Sequence, residues 1–171
     1  MVALNAGSSS IKFALFTSEA EPRLRLKGQV EGIGRTPRLT ADDGNSGALG
    51  GVAPILEKVK DHAALISWLL EVVIAPLSGR CEAVGHRIVH GGTEHDRPVV
   101  VDDVVIAGLE RLAPLARSHQ PHNLAAIRAA RSVWPHVPQI ACFDTAFHRT
   151  LPEAEQLFAI PYALARDGVR R

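Results

Sequence analysis

Four short polar segments of this 171-residue chain carry residue types that handle anions. The first, Asn5–Lys12 with the sequence NAGSSSIK, combines a glycine, three hydroxyls and a lysine. Gly7 can adopt positive φ and lets the backbone approach a ligand, and the serine hydroxyls, N–H groups and Lys12 can surround phosphate oxygens. Because the segment differs from the GxxxxGK(S/T) loop, we predict a phosphate-binding turn without the P-loop mechanism. The alternative is a hairpin turn whose serines and lysine face water.

The second segment, His86–Gly92 with the sequence HRIVHGG, places an arginine inside an apolar strand pattern. Arg87 would need an anionic partner there, and its fork of donors matches a carboxylate or phosphate in a bidentate manner. The alternative is an edge-strand arginine that points to solvent. A metal site at His86, His90 and His95 is the less favoured interpretation, because no carboxylate or thiolate shares their spacing.

The third and fourth segments place a histidine before a helix and an aspartate after a strand. In His119–Asn123 (HQPHN) the helix N-terminus favours anions, and His119 could donate a hydrogen bond to a developing charge. The alternative there is a capping turn with exposed histidines. In Phe143–His148 (FDTAFH), Asp144 follows a short apolar run and is well placed to hold Mg²⁺, directly or through water. Its alternative role is that of a helix N-cap or turn aspartate.

The elements that must position these segments are predicted as strands that alternate with helices. Three antiparallel strands are expected at residues 1–5, Ile11–Phe16 and Leu24–Val30, followed by a turn or mobile loop over residues 34–53. Further strands are expected at Cys81–Val89 and Gln139–Phe143. Helices are expected from Pro54 to about Ile74, after Asp102, whose residue type suits an N-cap, from about His122 and after Pro152. This order predicts one mixed α/β domain with helices packed on the sheet and ligands bound at strand ends.

Composition narrows the classes of protein to consider. A net charge of +1 implies no basic face, so neither nucleic acid nor an acidic membrane is an expected partner. No apolar run reaches the roughly 20 residues of a membrane helix, and the start does not read as a signal peptide. Cys81 and Cys142 form no CxxC motif, and we interpret both as buried thiols in a reducing compartment. A cytoplasmic protein is the simplest interpretation.

Together, the four segments resemble acetate kinases and their propionate- and butyrate-kinase relatives, in which NAGSSSIK, HRIVHGG, HQPHN and FDTAFH motifs occur in this order. The resemblance runs from about Val2 to Arg171. It implies the acetate and sugar kinase, Hsc70 and actin superfamily, and so a ribonuclease-H-like mixed sheet with an antiparallel start and flanking helices. The implied activity is transfer of the ATP γ-phosphoryl group to acetate or another short carboxylate, giving acyl phosphate and ADP. Mg²⁺ is the implied cofactor, and the full-length enzyme is implied to be a homodimer.

The resemblance also implies roles for individual residues. Arg87 would orient the acyl carboxylate or the moving phosphoryl group, and Asp144 would work with Asn5 near Mg²⁺. His119 lies where the family has a histidine near the substrate. The loop that places phosphate and metal is matched by Ser8, Ser10 and Lys12.

The acyl end of the implied site departs from the family at one position. Val89 matches a wall of the acyl-methyl pocket. Relatives commonly place Pro-Leu directly before the histidine, whereas Ser118 stands there in this chain, with Arg117 before it. An apolar-to-polar change there would weaken the grip on a methyl group by about 1–2 kcal/mol. The expected substrate is therefore a short acyl carboxylate rather than acetate specifically.

The residue types agree with this chemistry. A carboxylate with a pKa on the order of 4 is already ionised near neutral pH and needs no general base. The site must instead hold two anions together and offset the charge on the transferring phosphoryl group. We expect residues 1–171 to form an amino-terminal acyl- and phosphate-binding domain, inactive without the carboxy-terminal nucleotide-binding half. The alternatives are a truncated, non-catalytic domain that binds small anions or a partner and, less favoured, an actin-like regulator.

Overall fold

The computed structural model describes residues 1–42, 62–167 and 169, and a seven-stranded mixed sheet lies at its centre. The strands are β1 Val2–Ala6, β2 Ser10–Phe16, β3 Leu24–Glu31, β4 Arg38–Asp42, β5 Val84–Ile88, β6 Val99–Val100 and β7 Gln139–Phe143. Their order across the sheet is β4-β3-β2-β1-β5-β7-β6. Strands β1 to β4 pair antiparallel, β5 is parallel to both β1 and β7, and β6 is antiparallel to β7. The predicted antiparallel start and mixed sheet are confirmed.

The described helices all follow β4 in the chain. They are α1 His62–Trp68, α2 Ala75–Ser78, α3 Asp103–Arg111, α4 Gln120–Val133, α5 Glu153–Gln156 and α6 Tyr162–Arg166, with a π-helical stretch at Leu69–Ile74 and 3-10 turns at Ala113–Leu115 and Asp144–Thr150. Asp102 caps α3 as predicted, because its carboxylate accepts a hydrogen bond from the Val105 N–H at 2.8 Å. None of the helices in the described part of the chain is both long and apolar enough to cross a bilayer.

The hydrophobic core lies on one face of the sheet. Alternate residues of β1 and β2 point to this face, and Leu4 and Phe13 are only 4% and 3% exposed. Helices α1 and α4 cover them with apolar side chains that include Leu65, Ala126 and Ala130. A second cluster around Ile88, Leu109 and Ile127 joins α3 to the same face. Burial on a single side produces the alternation of buried and more exposed residues along β1 and β2.

The opposite side of the sheet, which we call the open face, is lined by small residues. Ala3 pairs with Ala14 on one side and with Gly85 on the other, and Cys142 of β7, which pairs with Arg87, points to the same face. These residues border a trough of about 380 Å³, and Ala3 and Cys142 are exposed. The site described below lies beside these residues, toward the carboxyl ends of β1 and β5.

Two expectations are wrong in the described residues. Arg38–Asp42 was predicted within a loop, but it forms β4 because its backbone pairs with β3 along the whole segment. The rest of the predicted 34–53 loop beyond residue 42, and the predicted helix before His62, lie outside the described residues. Cys142 was predicted to be buried, but it is exposed because it points to the open face, whereas Cys81 is buried.

Candidate functional site

Arg87 lies where the carboxyl ends of three neighbouring strands meet. It stands on β5, between β1 and β7, so the alternative of an edge-strand arginine is wrong. Its Nε donates to Asp144 Oδ1 at 2.9 Å and its Nη2 donates to Oδ2 at 2.6 Å, which makes a bidentate pair. Its Nη1 also donates to Asn5 Oδ1 at 3.4 Å. Residues from β1, β5 and the end of β7 therefore converge on one guanidinium.

This ion pair is open to solvent. The side chains of Arg87 and Asp144 are 52% and 38% exposed, and the hydrogen bond to Asp144 raises the pKa of Arg87. Exposed pairs contribute about 0–1 kcal/mol to stability, so separating the two partners costs little. An incoming anion can therefore take the guanidinium, and a cation can take the carboxylate.

The Asn5–Lys12 segment forms the turn between β1 and β2. Its closing hydrogen bond runs from the Gly7 N–H to the Ser10 carbonyl at 2.8 Å, and the Ile33 N–H donates to the Ser9 carbonyl at 3.2 Å. Gly7 is not among the glycines of positive φ, so the turn does not use that freedom. Within the described residues the N–H groups of Ser8 and Ser9 have no hydrogen-bond partner, and both serines are exposed. The turn therefore offers unpaired backbone donors.

A polar cavity of about 310 Å³ opens between this turn, β5 and the start of α4. Seven of the residues predicted from the sequence line it: Asn5, Ser8, Ser10, Lys12, Arg87, Val89 and His119. Asp144 is not part of the lining and reaches the cavity through its pair with Arg87. Ser118 is exposed beside His119 and is also outside the lining. The cavity thus joins two cationic side chains with hydroxyl and backbone donors.

Asn123 is a structural residue of the site that the sequence analysis did not single out. It is 3% exposed, its Nδ2 donates to the Ala6 carbonyl at 2.8 Å, and its Oδ1 accepts from the Val89 N–H at 3.2 Å. One amide therefore holds the end of β1 and the residue after β5. The signal in the sequence was a polar residue at the start of an apolar helix face.

His62 was also missed, because it falls within a helix predicted from its apolar residues. Its Nε2 lies 2.8 Å from the Gly7 carbonyl oxygen, and its ring centroid lies 4.2 Å from that of His122. Burial, followed by the neighbouring His62 and His119, lowers the pKa of His122. His62 thus contacts the serine turn without lining the cavity.

The three histidines weighed as a metal site have separate surroundings. His86 is buried and bonded to Gln139, His95 stacks on Phe143 at 4.9 Å, and His90 Nδ1 accepts from the Gly92 N–H at 2.8 Å. In the residues that the structure describes, no three His, Cys, Asp or Glu side chains are grouped to hold a metal ion. A histidine-bound metal is therefore not supported.

The oxygen donors around Arg87 suit a different kind of ion. Asn5 Oδ1 and the Asp144 carboxylate accept hydrogen bonds from different nitrogens of the same guanidinium. Mg²⁺ takes oxygen ligands, commonly one or two carboxylates, and completes its shell with water and substrate phosphates. The donor set at Asn5 and Asp144 therefore fits Mg²⁺ bound together with a phosphorylated ligand.

Comparisons of the sequence with known proteins all identify the same family. A family model described as the Acetokinase family matches residues 1–171. The chain is 47% identical over 178 residues to the acetate kinase of Nitrobacter hamburgensis, a match that covers 100% of this chain and 43% of that protein. The acetate kinase of Methylocella silvestris is 42% identical over 186 residues, with 100% and 45% covered.

Solved structures are similar over the same span. The crystal structure of Porphyromonas gingivalis acetate kinase superposes with a TM-score of 0.80 at 31% identity, covering 99% of this chain and 43% of that one. A propionate kinase from Francisella tularensis gives a TM-score of 0.80 at 27% identity, with the same coverage. The chain therefore spans less than half the length of the proteins it matches.

Proposed function

The chain belongs to the acetokinase family, and from this membership we propose that residues 1–171 form the acyl- and phosphate-binding domain of a short-chain acyl kinase. Its fold is the ribonuclease-H-like arrangement of the actin-like ATPase superfamily, as predicted. The proposed reaction moves the ATP γ-phosphoryl group to acetate or another short carboxylate and yields acyl phosphate and ADP. The observation that carries the proposal is the cavity in which Lys12, Arg87 and the serine turn meet.

The cations of the cavity suit this reaction. The acceptor carboxylate is ionised at neutral pH, and the phosphoryl group adds further negative charge, so the two repel each other. The Lys12 ammonium and the Arg87 guanidinium line the same cavity and offset that charge. We assign no residue as general base, because the nucleophile carries no proton.

Arg87 exchanges partners when a ligand enters, in this proposal. Its bidentate pairing with Asp144 has the geometry that a carboxylate or phosphoryl ligand would require. The exchange would free Asp144, which with Asn5 would hold Mg²⁺. That ion, when bound, supplies charge neutralisation on the phosphate oxygens. Asp144 is thus assigned to metal rather than to proton transfer.

The acyl end of the ligand is proposed to lie toward α4. Val89 and His119 line that side of the cavity, and Val89 is fixed through its N–H by Asn123. His119 could donate to the developing charge, and Val89 could contact the alkyl group. Ser118 remains a candidate for the alkyl end by its position in the motif, although it is exposed and outside the lining.

The remaining parts of the proposal concern the longer protein. The relatives named acetate kinase extend well beyond the matched region, and we assign the ATP-binding half, and assembly as a homodimer, to such a longer chain. A cytoplasmic location is consistent with the thiols of Cys81 and Cys142, which are both free.

Ligand binding to the 171-residue chain tests the proposal directly. Calorimetry with acetyl phosphate and inorganic phosphate should detect binding by the wild type and at least tenfold weaker binding by Arg87→Ala. The matched control is Arg97→Ala, because Arg97 is 79% exposed and its ion pair within the described residues is with its neighbour Asp96. Binding that is equal in all three proteins would contradict a role for Arg87.

Turnover needs the chain joined to the downstream half of a relative. The joined protein should form acyl phosphate from ATP, Mg²⁺ and a short carboxylate, trapped as the hydroxamate. Absence of product with acetate, propionate and butyrate would remove the kinase proposal. Retained binding of phosphate in that case would favour the non-catalytic anion-binding domain instead.

A further inference from the structure

His62 supports the serine turn from outside the cavity. It begins α1, and its Nε2 lies 2.8 Å from the carbonyl oxygen of Gly7, which is 55 residues earlier in the chain. A carbonyl oxygen only accepts hydrogen bonds, so the ring must donate through Nε2. His62 Nδ1 is buried and has no hydrogen-bond partner within the described residues. A neutral ring with its proton on Nε2 satisfies this geometry, because it leaves no second N–H in need of an acceptor.

The direction of one peptide group follows from this contact. The described chain contains no cis peptide bonds, and in a trans peptide the C=O and the N–H point in opposite directions. Since the Gly7 carbonyl points toward His62, the Ser8 N–H of the same peptide points away from it. Ser8 lines the cavity, and its N–H has no partner within the described residues.

We propose that His62 is a positioning residue for phosphoryl binding. By donating to the Gly7 carbonyl it fixes the peptide between Gly7 and Ser8 and presents the Ser8 N–H to phosphoryl oxygens beside Lys12. The inference rests on the proposed function, because it names the ligand group as the phosphoryl moiety of an acyl phosphate. His62 itself does not line the cavity and touches no ligand.

Two neighbouring contacts make the turn dependent on His62. Asn123 holds the preceding carbonyl, that of Ala6, and the Gly7 N–H is bonded to the Ser10 carbonyl. The peptide between Gly7 and Ser8 would have no other anchor among the described residues if His62 lost its donor. The ring is held in place by His122, whose plane is tilted 44° to it. Without the His62 donor, the peptide between Gly7 and Ser8 could rotate at the point where the turn meets the ligand.

The test compares three variants of the 171-residue chain. His62→Leu removes the donor, His62→Gln keeps an amide N–H at similar reach, and His136→Leu is the control because His136 is exposed and does not line the cavity. The Ser8 amide resonance is followed by ¹H–¹⁵N NMR during titration with acetyl phosphate. We expect His62→Leu to bind about fivefold to tenfold more weakly, or ~1–1.4 kcal/mol, and to lose the Ser8 shift. His62→Gln should recover most of both, which a purely structural role would not produce.

The outcomes separate this inference from the proposed function. Equal affinity and an unchanged Ser8 shift in His62→Leu would overturn the inference while the proposed function stands. If the wild type binds no acetyl phosphate, the proposed function fails together with the phosphoryl role of His62, and the Gly7 carbonyl ¹³C shift of the free proteins decides only whether His62 orients the peptide. A shift changed by Leu and restored by Gln supports that orientation, and an unchanged shift overturns it.

A measurement on the wild type alone covers the case in which His62→Leu does not fold. The ¹⁵N spectrum of the His62 ring distinguishes the two neutral tautomers. A proton on Nε2 supports the inference, and a proton on Nδ1 overturns it, because that tautomer cannot donate to the Gly7 carbonyl.

Discussion

Mild acid should destabilise the folded chain through His86, which lies in the core and precedes Arg87 on β5. Its side chain is 2% exposed, its Nε2 lies 2.6 Å from Gln139 Oε1, and its Nδ1 is buried without a partner in the described residues. Burial lowers the pKa of His86 from 6.5 to about 4, and the hydrogen bond to Gln139 offsets only part of that effect. The folded protein therefore keeps this ring neutral at pH values where the unfolded chain protonates it.

The sign and size of the effect follow from this difference. Below about pH 6.5 the unfolded state binds a proton that the folded state does not bind until about pH 4, so stability falls as the pH is lowered through this window. With these two pKa values, the loss between pH 8 and pH 5 is about 2 kcal/mol, and it approaches about 3 kcal/mol near pH 4. Such a loss is a large fraction of the 5–15 kcal/mol that is typical of a domain.

Urea unfolding at pH 8 and pH 5 measures this loss, with His86→Gln as the reference protein that cannot titrate at this position. Burial also lowers the pKa values of His90 and His122, but both groups are present in both proteins. The wild type should therefore lose about 2 kcal/mol more than His86→Gln over the interval. Equal losses in the two proteins would refute the assignment of a neutral, buried imidazole.

Three further predictions concern packing, the ion pair and the open face. Gly28→Ala should lower the free energy of unfolding by about 1–3 kcal/mol, because a Cβ there would lie 2.4 Å from Phe13 Cζ. The control Gly85→Ala has no atom nearer than 3.9 Å to its Cβ and should be neutral or slightly stabilising; equal effects of the two in urea unfolding would contradict the packing. Asp144→Asn should change the free energy of unfolding by less than ~1 kcal/mol, yet abolish the broadening of nearby NMR signals by Mn²⁺; a loss of several kcal/mol would show a structural role instead. The chain should also self-associate through the open face with rising concentration, and a strict monomer in size-exclusion chromatography would contradict this.

The fold was predictable where a strand buries one face or follows a clear apolar run. The interval Gln139–Phe143 was predicted as a strand and is one, and the cap at Asp102 was recognised from its residue type. Strand β4 was not recognisable, because Arg38–Asp42 buries none of its residues and becomes a strand only by pairing with β3. The exposure of Cys142 was missed because the sequence of an apolar strand does not indicate which of its two faces is covered by helices.

The residues of the candidate site could be predicted from the sequence, but their hydrogen-bond and ion-pair partners could not. The residue types of the four motifs predicted anion-binding groups, and Arg87 was expected to need an anionic partner. That this partner is Asp144, 57 residues away, depends on the register between β5 and β7, which is a tertiary property. The contact of His62 with Gly7 is equally non-local, so no spacing in the sequence could indicate it.

The side chain of Asn123 connects the two ends of the cavity through its two hydrogen bonds. Its Nδ2 donates to the Ala6 carbonyl and its Oδ1 accepts from the Val89 N–H, so both backbone groups are bonded to one planar amide. A displacement of one group should therefore shift the other. Under the proposed function, we expect a phosphoryl group that tightens the serine turn to alter the affinity of the acyl end, and linkage would require the reverse effect to be equally large. Replacing Asn123 would remove this connection, and the two ends of the cavity should then bind their ligands independently.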